Sequence, residues 1–366
     1  MSEPLARFNT IQHADAVECA ESLVALCTYE LDELTQTKAG TISLLVVDDG
    51  DSDNPSWKLC TTHACAAVFD AKWRIDNDGS RFLMSSTANA GVELLEASSA
   101  ESLRLVGACT VAADSVSALS VSWLSRNGDA PAAIVSRSDG EICVVEVGDG
   151  SSLRQSRSIV AHALANAPIE VWTVAANPFH SAVVWSGADD AMLKGWDLRT
   201  PCNTPTFTAP HVHQSGVCCI AWHPHVEHIV ATGSYDEHIR LWDDRVVGHG
   251  PVSVPFDTGG GVWRLKWHPH SSQHAALLAA CMRGGFQVFD VSVALGSSGG
   301  ATNLPSNASA GCLRRTALYL AHESEGLAYG VDWMAAGSGL GRVASCSFYD
   351  NLLTLWKPEV AAIKVS

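Results

Sequence analysis

Apolar and polar residues alternate along this chain in short runs, each bounded by Gly, Asp, Ser or Pro. Val92-Glu-Leu-Leu95, Ile142-Cys-Val-Val145 and Ile239-Arg-Leu-Trp-Asp243 are examples. A period of two over runs of this length predicts half-buried β-strands. The runs recur in a fixed order. The clearest copy reads His213-Gln-Ser-Gly-Val-Cys-Cys-Ile-Ala-Trp-His-Pro224, then Ile229-Val-Ala-Thr-Gly-Ser-Tyr-Asp236, then Ile239–Asp243. Similar closing phrases stand at Leu193-Lys-Gly-Trp-Asp197, Phe286-Gln-Val-Phe-Asp290 and Leu353-Thr-Leu-Trp356.

A repeat of roughly 40–50 residues carrying several strands predicts an all-β propeller of the WD-repeat type. Two markers count the blades. The residue near the end of each innermost strand is Cys19, Trp73, Trp123, Ala176, Trp222, Trp267 and Trp333. The third strand carries Leu45, Leu95, Val145, Trp196, Trp242, Phe289 and Trp356. The two sets alternate strictly, which predicts seven blades, the first three degenerate. Blades share one ring and cannot fold singly, so residues 1–366 are expected to form one domain, with a Ser/Gly-rich loop inserted at about 292–315. The last repeat lacks a fourth strand. Leu5–Ile11 or the tail Val360–Val365 is expected to supply it and protect an open sheet edge.

Several polar residues have a structural reading. His213, Thr232 or Ser234, Asp236 and Trp242 have the spacing of the hydrogen-bonded tetrad that locks a WD-repeat blade, and His162 with Asp190 and His322 with Asp350 repeat it. The formal charge of −16 argues against a broad nucleic-acid or phospholipid surface. Twelve cysteines without a Cys-x-x-Cys pair signal neither a disulfide framework nor a zinc knuckle, and their apolar surroundings suit a reducing compartment. With no secretory start and no apolar run of membrane-spanning length, a cytoplasmic, monomeric protein is expected.

Departures from the generic repeat are more specific. Thr232-Gly-Ser-Tyr-Asp-Glu-His-Ile239, Gly260-Gly-Val-Trp-Arg-Leu-Lys-Trp-His-Pro269, Ala279-Ala-Cys-Met282, Tyr329-Gly-Val-Asp-Trp333 and Ser347-Phe-Tyr-Asp350 resemble the WD-repeat diphthine methyl ester hydrolases, also called diphthine methyltransferases, of diphthamide biosynthesis. The resemblance runs from about residue 160 to 357. Earlier it rests on strings such as Ala14-Asp-Ala-Val-Glu18 and Phe69-Asp-Ala-Lys-Trp73. It implies hydrolysis of a methyl ester on a trimethylammonium-bearing histidine of translation elongation factor 2, giving diphthine and methanol without a cofactor. It assigns no catalytic residue.

The chain has no Gly-x-Ser-x-Gly elbow, His-Glu-x-x-His or phosphate loop, so the chemistry must be assembled on the propeller surface. Trp172, Cys218, Trp263 and Tyr329 align near the starts of the inner strands of blades four to seven; Asp189, Tyr235, Met282 and Tyr349 align in the adjacent turns. Trp172, Trp263, Tyr235, Tyr329 and Tyr349, with Asp189, are expected to form a cage for the quaternary cation, each ring contributing roughly 0.5–2 kcal/mol. Cys218 is the candidate nucleophile with His238 as its base; the rival scheme has water activated by Glu170 or Glu237. His223, His225 and His228, and His268, His270 and His274, match no metal-ligand spacing, and no metal is expected. Trp196-Asp-Leu-Arg199 and Trp242-Asp-Asp-Arg245 also match the short box of cullin-4 ubiquitin-ligase substrate receptors, which leaves a non-catalytic scaffold as the alternative.

Overall fold

The computed structural model describes residues 3–31, 38–49, 55–124, 130–200, 204–292, 313–320, 326–334 and 341–358. The strands form seven four-stranded antiparallel sheets in chain order, over residues 13–66, 68–110, 118–160, 173–209, 217–257, 264–319 and 328–356. The innermost strands pack side by side around a closed ring: His13–Ala20 lies between Val68–Ile75 and Ala328–Met334. The fourth strand of blade seven is Ala6–Asn9, paired in register from Ala6 with Leu355 to Asn9 with Leu352. The competing tail lies outside the described residues, as do His322 and most of the 292–315 insertion. The outer strand that follows this insertion is Arg314–Tyr319. The first three blades, weakest in sequence, carry complete sheets with strands of up to 11 residues.

The repeat has a packing cause. The hydrophobic core is divided into seven clusters, each shared by two neighbouring blades; one joins Ile239 and Leu241 of blade five to Leu277 and Phe289 of blade six, and another joins Val24 and Leu26 of blade one to Leu353 and Leu355 of blade seven. A blade alone would leave both of its apolar faces in water. The tryptophans that mark the inner strands are staples between blades. The indoles of Trp73, Trp123, Trp267 and Trp333 donate to the carbonyls of Glu18, Lys72, Ala221 and Lys266 in the preceding blade, at 2.9–3.1 Å.

In blade four the polar lock is complete: His162 bonds Asp190 and Ser186, and Trp196 donates to the same Ser186 hydroxyl. Blade five departs from expectation. His213 and Trp242 share Thr232, but Asp236 turns to Arg240, which holds it with two bonds of 3.0 and 2.8 Å, and to the amide of Gln214. A guanidinium four residues away offers the carboxylate a charge-assisted fork, stronger than an imidazole N–H. Among the described residues no helix is long and apolar enough to cross a membrane.

Candidate functional site at the channel mouth

One position recurs in every blade, four residues before the inner-strand marker. It holds Asp15, Phe69, Leu119, Trp172, Cys218, Trp263 and Tyr329, and all seven side chains line one cavity of about 440 Å³ at the channel mouth. A β-bulge aims five of them. The register slips at Asp15, Phe69, Leu119, Cys218 and Tyr329, turning each extra residue out of the ladder toward the axis. Trp172 and Trp263 stand just before the shorter inner strands Thr173–Ala176 and Arg264–Trp267.

The aromatic members form a connected belt. Trp172 and Trp263 meet edge to face with centroids 5.9 Å apart, Tyr235 lies 6.2 and 5.9 Å from the two, and Trp263 meets Tyr329 at 5.0 Å. Beyond Tyr329 the belt continues through Phe348 to Tyr29 and Phe69. It therefore spans blades one and two as well as four to seven, wider than the sequence reading. Tyr349 is 58% exposed and packs outside the cavity against Phe348 and His13.

The other expected residues separate clearly. Glu170 lines the cavity, and burial, then Asp189, raises its carboxyl above the usual range. Asp189 accepts the Trp172 indole N–H at 3.3 Å and is not part of the lining. Cys218 lines the cavity, but its thiol donates to the Gly216 carbonyl, and burial, reinforced by Cys219, drives its pKa well up. His238 is not part of the lining and makes no hydrogen bond to Cys218; its Nδ1 is 2.5 Å from the Asp236 carbonyl oxygen. The structure thus does not bring the two halves of the thiolate scheme together. Glu237 sits exposed at a left-handed turn position outside the lining.

Below the cavity lies a layer of charge that the sequence reading missed. Asp70 accepts bonds from Lys72 at 2.6 Å, Arg264 at 2.8 Å, Ser120 at 3.0 Å and the amide of Val121 at 3.1 Å. Burial acts to raise its pKa, but Lys72 and Arg264 outweigh it and hold the carboxyl at about 2. Glu18 bridges Lys72 and Lys266, and Lys266 reaches Asp332 at 3.4 Å. The ion pairs so far named join three carboxylates to three cations. Asp15 is the fourth carboxylate, 2% exposed and 3.5 Å from Arg264. Burial, only partly offset by Arg264, raises its pKa to about 7.

The histidine-rich loops bond mainly to one another's backbone, with Nε2 of His268 left without a partner among the described residues. His223 bonds the His274 carbonyl and accepts the amides of His225 and Val226, while His225 bonds the Pro269 carbonyl. Among the described residues, the potential metal ligands that cluster are His63, Cys65 and Glu93, outside this cavity, with His63 already bonded to Glu93 at 3.1 Å. Arg199 and Arg245 each clamp the aspartate two residues before them, Asp197 and Asp243.

Comparison with known proteins agrees with the architecture and adds kinship. Residues 204–243 match the WD domain, G-beta repeat. A chain from the crystal structure of the mitotic checkpoint complex superposes with a TM-score of 0.67 over 97% of this chain and 94% of that one; at 17% identity this speaks to the fold alone. Human diphthine methyltransferase is 34% identical over 87% of this chain and 67% of its own length. The mouse protein of that name is 34% identical over 96% and 72%, and a Dictyostelium discoideum homolog 30% identical over 80% and 77%. The chain belongs to the diphthine methyltransferase family.

Proposed function

We propose that this single propeller unit is a carboxylic ester hydrolase of diphthamide biosynthesis. It removes the methyl group of esterified diphthine on translation elongation factor 2 in the cytosol, giving diphthine and methanol. The observation that carries this reading is the cavity itself. A belt of Trp172, Tyr235, Trp263, Tyr329 and Tyr29 faces one space with the carboxyl groups of Asp15 and Glu170. Aromatic faces and carboxylates together select a quaternary ammonium over a neutral group. The channel mouth suits a side chain that projects from a folded partner, because the belt draws on six of the seven blades around one cavity.

The test is hydrolysis by the purified protein alone. Methyl-esterified factor should release methanol and lose the mass of one CH2 group. Binding of the factor without methanol release would overturn the reading in favour of a non-catalytic scaffold.

A further inference from the structure

Asp15 is the odd member of its ring. At the seven equivalent positions around the cavity, the other six are Phe69, Leu119, Trp172, Cys218, Trp263 and Tyr329, and the carboxylate alone carries a charge. The aspartate is also the surplus acid among the buried groups below, where Glu18, Asp70 and Asp332 already match Lys72, Arg264 and Lys266. Its Oδ2 accepts no hydrogen bond among the described residues. Two buried donors nearby also lack a close partner, Nε of Arg264 and Nε1 of Trp263, and both side chains act on the Asp15 carboxyl only as loose hydrogen-bond donors. Buried polar atoms are nearly always closely paired, so an acceptor and two donors that meet only loosely beside one cavity leave room for a ligand between them.

We propose that Asp15 is the general base of ester hydrolysis, taking a proton from the water that attacks the ester carbonyl. The inference rests on the hydrolase reading above. The water oxygen bonds to the carbonyl carbon, and one of its protons passes to Asp15. The carbonyl electron pair moves onto oxygen, where Arg264 and the Trp263 N–H, released from Asp15 as it is protonated, supply donors of the kind that stabilise an oxyanion. On collapse the carbon–methoxide bond breaks, and Asp15 returns its proton to the leaving oxygen as methanol departs. The product acid then ionises to solvent.

The surroundings suit the role. Arg264, Asp70, Tyr29, Tyr235, Tyr329, Cys27 and Cys346 interact electrostatically with this carboxyl, and Lys38 and Glu170 share the cavity. With burial they leave its pKa at about 7, where a base combines adequate ionisation with proton affinity. A trimethylammonium group held by the belt would favour the ionised form, so substrate binding arms the base.

Asp15→Asn should lower kcat by ~10²–10⁴-fold with KM changed only a few-fold. Asp15→Glu should recover part of the rate. In the wild type, kcat/KM should rise with pH through a single ionisation near 7, and kcat should show that ionisation displaced to lower pH. An Asn variant within about three-fold of wild-type kcat, or one whose loss falls entirely in KM, would overturn the assignment. If the Asn variant does not fold, a wild-type kcat/KM flat across that range overturns it equally. Absence of methanol release by the wild type would instead sink the hydrolase reading, which separates the two failures.

Discussion

Replacing Asp15 by asparagine should stabilise this protein at alkaline pH. The carboxyl is buried, and its pKa rises from 3.8 to about 7 on folding, first because burial penalises the charge. A carboxyl raised by folding favours the neutral form. Its contribution is intact below about pH 4 and is lost as pH climbs through about 7. Above that, the folded protein carries a penalty of about 4 kcal/mol, from roughly 1.4 kcal/mol per pH unit of displacement. Asparagine keeps the shape and removes the charge. Arg264 loses one partner but keeps Asp70 at 2.8 Å and the Phe69 carbonyl at 2.5 Å. A net gain of about 1–4 kcal/mol at pH 8 follows, smaller by about 3 kcal/mol at pH 5, where only about 1.6 kcal/mol of the penalty is present. Unfolding entropy for 366 residues is roughly 0.8 kcal/mol per kelvin, so the melting temperature should rise by about 1–5 °C at pH 8, and its offset from wild type should fall by about 3–4 °C at pH 5. Differential scanning calorimetry at the two pH values reads this directly, and Asp332 cancels because it titrates in both proteins. A variant that melts below wild type at pH 8, or by the same offset at both pH values, would refute the reasoning.

Trp172→Ala and Trp263→Ala should each weaken binding of the esterified factor about 2- to 30-fold, the equivalent of 0.5–2 kcal/mol; equal weakening of a substrate analogue bearing a neutral tert-butyl group would show that the rings merely pack. Asp70→Ala leaves Lys72 with Glu18 and Arg264 with the more distant Asp15 as their carboxylate partners and should cost about 3 kcal/mol in urea denaturation, against little change if the charges were solvated. Cys218→Ser should retain hydrolysis, because the thiol is raised and already bonded to Gly216; a loss beyond about ten-fold would restore the thiolate scheme. Trp123→Phe should remove one bond between blades and about 1 kcal/mol of stability, read from the same denaturation curves.

Blade number and strand order were legible in the apolar alternation, because the cores lie between blades and force one register on every repeat. The choice between Leu5–Ile11 and Val360–Val365 as the closing strand was not, since both are short apolar runs and only the pairing of Ala6–Asn9 decides it. The rim was half legible. Counting four residues back from Trp222, Trp267 and Trp333 finds Cys218, Trp263 and Tyr329, and the same count from Cys19 and Trp73 reaches Asp15 and Phe69. In blade one the marker is Cys19 rather than tryptophan, which hid that step. Tyr29 and Phe348 have no such address; they enter the belt only through the curvature of the ring. The charges of Glu18, Lys72, Lys266 and Asp332 stand in strands that read as apolar, and only the closed channel shows them to be partners. His238 and Glu237 were placed by nearness in sequence, and the turn at Glu237, with φ of 69°, carries them away from the cavity.

The pairing of Ala6–Asn9 with Leu352–Trp356 has a consequence for biogenesis. Strand Ala6–Asn9 emerges from the ribosome long before Leu352–Trp356 and must wait for all seven inner strands before its partner exists. Contacts this distant in sequence make folding slow. The cavity draws Asp15 and Tyr29 from the early chain and Trp263 and Tyr329 from the late chain, so a nascent or truncated propeller has no site at all. Activity thus appears only with circular closure, and any event that reopens this seam would switch the enzyme off without touching a residue of the cavity.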